Sequence, residues 1–129
     1  MTALTNDAEN RILNHLCRGT AFTPTTPLKL ALYTVTPSET GGGTEVSGGG
    51  YVRQNITFGS AATNGSISNT VAITFPVATA NWGTVNGVAI LDSSATPIMI
   101  WYANASSAKT IELNDQYVVP VGALVISAD

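Results

Sequence analysis

Few residues of this chain are of types that act on substrates, and their spacing does not gather them. His15 and Cys17 lie two positions apart in a segment that reads as helix, so they sit about 200° apart round its cylinder and do not face each other. His15 is expected to be a structural or interface residue, and Cys17 a small buried one. Glu39 and Glu45 flank a glycine-rich loop, a poor support for paired carboxylates that need fixed geometry, and are expected to be solvated. The turns Asp92-Ser93-Ser94 and Asn114-Asp115 lack the spaced oxygen ligands of a calcium loop. Gly41-Gly42-Gly43 and Gly48-Gly49-Gly50 have neither the lysine nor the strand-to-helix setting of a phosphate loop. The reading therefore expects no catalytic residue, cofactor or metal. Among the aromatics, Trp101 reads as core, while Trp82, in a loop, is open to stacking on a sugar ring together with Tyr51.

Composition narrows the partners. Five Lys or Arg stand against eight Asp or Glu, and Arg11, Arg18, Lys29, Arg53 and Lys109 form no run, so nucleic acid is not an expected partner. Charged residues make up 10% of the chain, against roughly 25% in an average soluble protein. Such a surface fits either a chain covered by neighbours or an ordinary uncharged β-domain. No apolar run approaches the roughly 20 residues of a membrane span, and the N-terminus lacks the order of a signal peptide, so a soluble protein without a membrane partner is expected. At 129 residues the chain suits one folded unit.

The elements that must position these residues follow from periodicity. Asn6 with Glu9 three residues on reads as a capping box, Ala8, Ile12, Leu13, Leu16 and Cys17 recur at helical spacing, and Gly19 is placed to end the helix. A helix of about 12 residues is marginal alone, so its apolar stripe is expected to dock on its own sheet or on a neighbouring subunit. Leu28, Leu30 and Leu32 then alternate with Lys29, Ala31 and Tyr33 as a first strand. A long loop runs from Pro37 through Gly50. From Tyr51, the residues Val52, Gln54, Ile56 and Phe58 fall on one face and Tyr51, Arg53, Asn55 and Thr57 on the other, which predicts a strand with one buried face. Further strands are expected over Val71 to Phe75, over Val85 to Leu91 buried on both faces, over Ile98 to Tyr102 as its hairpin partner, and over Thr110 to Leu113, Gln116 to Val119 and Gly122 to Ser127. The pattern predicts a mainly β fold, an antiparallel β-sandwich or jelly roll of about seven or eight strands with one short N-terminal α-helix. Residues 1–19 form a helical arm in this reading, and 20–129 a single β-sandwich domain.

Five segments carry a resemblance: Glu9-Asn10-Arg11-Ile12-Leu13-Asn14-His15, Leu30-Ala31-Leu32-Tyr33-Thr34-Val35-Thr36-Pro37, Gly43-Thr44-Glu45-Val46-Ser47-Gly48-Gly49-Gly50-Tyr51-Val52-Arg53-Gln54, Ile73-Thr74-Phe75-Pro76-Val77-Ala78-Thr79-Ala80-Asn81-Trp82-Gly83, and the closing strand. Through them the chain resembles a family of small tailed-phage proteins labelled tail fibre proteins. The resemblance implies a non-enzymatic virion component, assembled in the host cytoplasm. Because the chain ends at its last strand and leaves no shaft or anchor, the reading expects a head decoration or cement protein. It would be a homo-oligomer, with a trimer favoured, on the major capsid protein or other virion proteins. Its contacts would come from Ile12, Leu13 and Leu16 of the helix and from Glu45, Gly48, Gly49, Gly50, Tyr51 and Arg53 of the loop. The rival reading is a tail fibre or tail-tip component in which Trp82 and Tyr51 touch other tail proteins or a host glycan.

Overall fold

The computed structural model describes residues 2–128. It is mainly β, with one helix and antiparallel sheets among the described residues, as the alternation of the sequence predicts. The main sheet is built from β1 (Thr2–Leu4), β2 (Lys29–Val35), β3 (Thr44–Glu45), β4 (Gln54–Asn55), β7 (Gly83–Leu91) and β8 (Met99–Ile111). Its order is β1-β8-β7-β2-β3, with β4 sharing the outer edge of β2. Two ribbons oppose it: β5 (Ser66–Ser68) with β10 (Val125–Ser127), and β6 (Ile73–Thr74) with β9 (Val118–Val119). Leu30, Leu32 and Ile90 point from the sheet into the main core, where Ile73, Phe75, Leu124 and Ile126 meet them from the ribbon side. The residues of opposite parity, Ala31, Tyr33, Ala89 and Leu91, form a smaller cluster with Met99 and Tyr102. Strand β7 lies between β8 and β2 and is buried on both faces at Ala89, Ile90 and Leu91, as its continuous apolar run predicts.

Four local expectations change. The residues Thr110 and Ile111 belong to β8 and not to a separate strand: Gly87 pairs with Asn104 and Val85 with Lys109, so Ala105 to Ala108 are a bulge within one long strand. Their side chains, Ala-Ser-Ser-Ala, have the small-residue composition of a loop, and pairing with β7 resumes beyond them at Lys109. The expected strand from Tyr51 narrows to Gln54–Asn55. Its faces begin to alternate only there, with Ile56 buried, while Val52 is 59% exposed and the ring of Tyr51 packs against the core instead.

The third change is the helix cap. Helix α1 (Asn6–Arg18) is capped by Thr5 and not by Asn6. Thr5 is fixed to the sheet by its N–H on Ile100 O (3.0 Å) and its hydroxyl on Met99 O (2.6 Å), which places its side-chain oxygen 3.3 Å from the N–H of Ala8. Gly19 ends the helix as predicted, in the left-handed region at φ 67° with its N–H on Asn14 O. The fourth change is what α1 buries. Only Ala8 is buried, Ile12 is half-buried, and Leu13 and Leu16 are 58% and 74% exposed. Cys17, expected inside, is exposed as well. The helix is held to the sheet at its first turn and leans outward after it.

Candidate functional site

The glycine loop and the residues singled out around it come together at one edge of the main sheet. Strands β3 and β4 both pair with β2, at Tyr33↔Glu45 and at Leu30↔Gln54, and the chain between them leaves the ladder. Within that gap Leu32 O still accepts the N–H of Val46 (3.0 Å), but its N–H has no backbone acceptor opposite. The phenol of Tyr51 fills the place: it accepts the Leu32 N–H at 2.9 Å and donates to Glu45 Oε1 at 2.8 Å. Arg53 then clamps the same carboxylate through two bonds, Nε to Oε1 and Nη2 to Oε2, each 2.7 Å. Glu45 was expected to be solvated; with a carboxylate, a phenol and a guanidinium locked together, it is a fixed structural member.

The second half of the lock is aromatic. Gly48, Gly49 and Gly50 all have positive φ, at 74°, 57° and 78°, which turns the chain back so that Tyr51 N–H bonds Gly48 O (3.0 Å). The carbonyl of Gly49 accepts both the indole N–H of Trp82 (2.9 Å) and the N–H of Thr79 (3.0 Å). The Trp82 ring stands edge-on to Tyr51 at 5.5 Å, and Tyr51 stacks on Phe75 at 6.0 Å. Trp82, which the sequence leaves open to a glycan, is 5% exposed with its N–H occupied, so it offers no stacking platform. Tyr51 is committed in the same way.

The charges of this cluster follow from its geometry. Burial pushes the Glu45 carboxyl up, but the hydrogen bonds from Arg53 and Tyr51 and the charge of Arg53 outweigh that and hold it below its ordinary value. Burial, with Glu45 beside it, raises the Tyr51 phenol, so it keeps the proton it donates. At the other end of the sheet the buried Asp92 resists ionisation through desolvation, yet bonds from Ile98 N–H, the Ser94 hydroxyl and Thr25 N–H hold it too below its ordinary value. A carboxyl whose folded value is depressed stabilises the fold above its unfolded value, near 4, and loses that contribution as pH falls through the lower folded value. Stability is therefore expected to fall on acidification only below about pH 4, and Glu45→Gln to flatten part of that limb in an acid titration of the unfolding free energy. An unchanged limb in the variant would remove Glu45 from this account.

Tyr51→Phe tests the lock directly. It leaves the buried Leu32 N–H without an acceptor and Glu45 without one of its donors, and is expected to cost about 1–3 kcal/mol in denaturant unfolding. In a double-mutant cycle with Glu45→Gln the two losses should be non-additive, because both residues act through one hydrogen-bonded group.

The remaining residues of interest sit elsewhere. Ile12, Leu13 and Leu16 lie on α1, away from the lock; His15 Nδ1 is 3.1 Å from Thr20 O beside the end of that helix. Two further residues hold loops together: Asn69, which sequence reading does not single out, bonds Val71 O, Pro120 O and Leu124 N–H, and Asp92, already expected in a turn, ties the 92–98 turn to Thr25. A buried Asn or Asp at a turn has no signature that separates it from the exposed kind. Among the described residues, no three His, Cys, Asp or Glu side chains gather closely enough to share a metal ion.

The result is a small antiparallel β-structure in which Glu45, Tyr51, Arg53 and Trp82 fix one loop to its own sheet while Leu13 and Leu16 of the helix are left outward. The chain belongs to the family described as podophage GP4 fiber I protein gp80, whose model matches residues 3–127, and is accordingly a phage virion structural protein. A search of curated proteins gave no match.

Proposed function

We propose that the protein is a non-catalytic subunit of a podophage fibre, present in several identical copies that join one another and the neighbouring virion proteins through α1. The observation that carries this reading is the family match across nearly the whole chain, and the family's description supports a fibre over a head decoration. The structure adds support in two ways. The loop expected to clamp capsid subunits is bonded to its own sheet, and the helix that would make contacts presents Leu13 and Leu16 to solvent.

The test is the copy number on separated heads and tails of purified particles, counted by quantitative mass spectrometry. A few copies confined to the tails are expected. Hundreds of copies on the heads would replace the fibre reading with a decoration protein bound to the capsid surface.

A further inference from the structure

The dipeptide Asn-Gly occurs twice in this chain, at Asn64-Gly65 and at Asn86-Gly87, and the fold treats the two oppositely. In such a pair the side-chain amide stands next to a backbone nitrogen that no Cβ shields. Asn64 and Gly65 are exposed in the turn that leads into β5. Nothing lies within 4 Å of where a Cβ on Gly65 would be, and its N–H is held by a long bond of 3.2 Å to Ala62 O. The Ser66 hydroxyl donates to Asn64 Oδ1 at 2.9 Å, which draws electron density from Cγ. Asn86 has a different setting. It lies within β7, and Gly87 is buried and paired on both sides, with Tyr33 of β2 and Asn104 of β8. A Cβ on Gly87 would stand 2.8 Å from Thr36 Cβ, and Asn86 Nδ2 donates to Thr34 O at 2.9 Å, which ties that amide to β2.

We propose that Asn64 is a site of self-modification, deamidating in the folded protein with the assistance of Ser66, while Asn86 is protected. The Gly65 nitrogen gives its proton to solvent and bonds to Asn64 Cγ, and the electron pair of the carbonyl moves onto Oδ1, where the Ser66 hydroxyl stabilises it. As the carbonyl re-forms, the bond from Cγ to Nδ2 breaks, and that nitrogen takes a proton from solvent and leaves as ammonia. Water then opens the cyclic imide at either carbonyl, giving an aspartyl or an isoaspartyl linkage to Gly65. Either product adds one negative charge to a chain whose formal net charge is −3. The isoaspartyl form also lengthens the main chain by a methylene at a turn where Gly65 O accepts the Ala128 N–H (2.9 Å), so it loosens the pairing of β5 with β10 that begins there. Virion subunits are not replaced after assembly, so the change accumulates as a particle ages. The site is apart from α1 and is the same on a tail or a head, so copy counting and the following experiment fail separately.

The experiment is timed incubation of the full chain in warm neutral buffer, read by isoelectric focusing and by peptide mapping that separates aspartyl from isoaspartyl products, with circular dichroism to confirm folding. The folded wild type is expected to convert at Asn64 at least about tenfold faster than at Asn86, because a strand paired on both sides opens far more rarely than an exposed turn. Denaturant should bring the two sites to comparable rates, which assigns the difference to the fold. Asn64→Gln should remove the early acidic form, since the longer side chain closes its ring poorly. Ser66→Ala should slow conversion about threefold in the folded chain and leave the denatured rate unchanged, and Ser66→Thr should keep the wild-type rate. Conversion at Asn64 no faster than at Asn86 in the folded chain, or an early acidic form that persists in Asn64→Gln, would overturn the proposal. A folded rate not lowered by Ser66→Ala would overturn the assistance assigned to Ser66.

Discussion

Gly49→Val is expected to lower the unfolding free energy by about 3 kcal/mol or more. Two causes add at this position. The backbone is in the left-handed region at φ 57°, which costs a residue with a side chain about 1–2 kcal/mol. A Cβ there would stand 2.8 Å from Trp82 Nε1, 2.9 Å from Trp82 Cδ1 and 3.1 Å from Ala80 O. The indole cannot retreat without breaking its bond to Gly49 O and the edge-on contact with Tyr51. The neighbour Gly48 has the same sign of φ but open space around it, so Gly48→Ala should cost only the conformational part, about 1–2 kcal/mol. Thermal unfolding of the two variants side by side checks the argument. Equal melting temperatures would mean that the Gly49 contact relaxes freely and that its glycine serves the turn alone.

Trp82→Ala is expected to cost about 3–5 kcal/mol, the range for removing a large aromatic from a core. The ring is nearly fully buried, packs on Tyr51, and ties the loop through its N–H. Trp82→Phe separates these roles: it keeps most of the packing and deletes the donor, and should cost about 1 kcal/mol for the lost hydrogen bond. Chemical denaturation of both variants gives the comparison. A loss below about 1 kcal/mol for Trp82→Ala would show that the lock does not depend on the indole. Against a module only 129 residues long, with a total stability of about 5–15 kcal/mol, either of these losses endangers folding at elevated temperature. The residues that look most like a binding surface in the sequence are thus the ones whose replacement should harm the fold itself.

That outcome explains how the sequence was legible and where it was not. The helix and its glycine stop, the β7–β8 hairpin with its polar Asp92 turn, and the mainly antiparallel β class all rest on local signals: apolar period, turn residues and run length. The association of Glu45, Gly49, Tyr51, Arg53 and Trp82 with one another was only partly visible. Triple glycine followed by tyrosine and arginine marks the stretch as unusual, but nothing local tells whether it binds a partner or its own chain. The pairings that turn it inward join positions as far apart as Gly49 and Trp82, or Leu32 and Tyr51.

The sequence by itself determined the period of each element, and with it the fold class, the outward charge of the chain and the family to which its segments belong. Tertiary structure alone decided which aromatic is buried, which carboxylate is paired and which leucines are left in water. The physical reason is that hydrophobic patterning is local, written every second or every three to four residues, whereas exposure depends on what arrives from elsewhere in the chain. Leu13 and Leu16 have the same spacing as core leucines. They remain outside because Thr5 anchors α1 at its first turn, and among the described residues of the helix only Ala8 is buried.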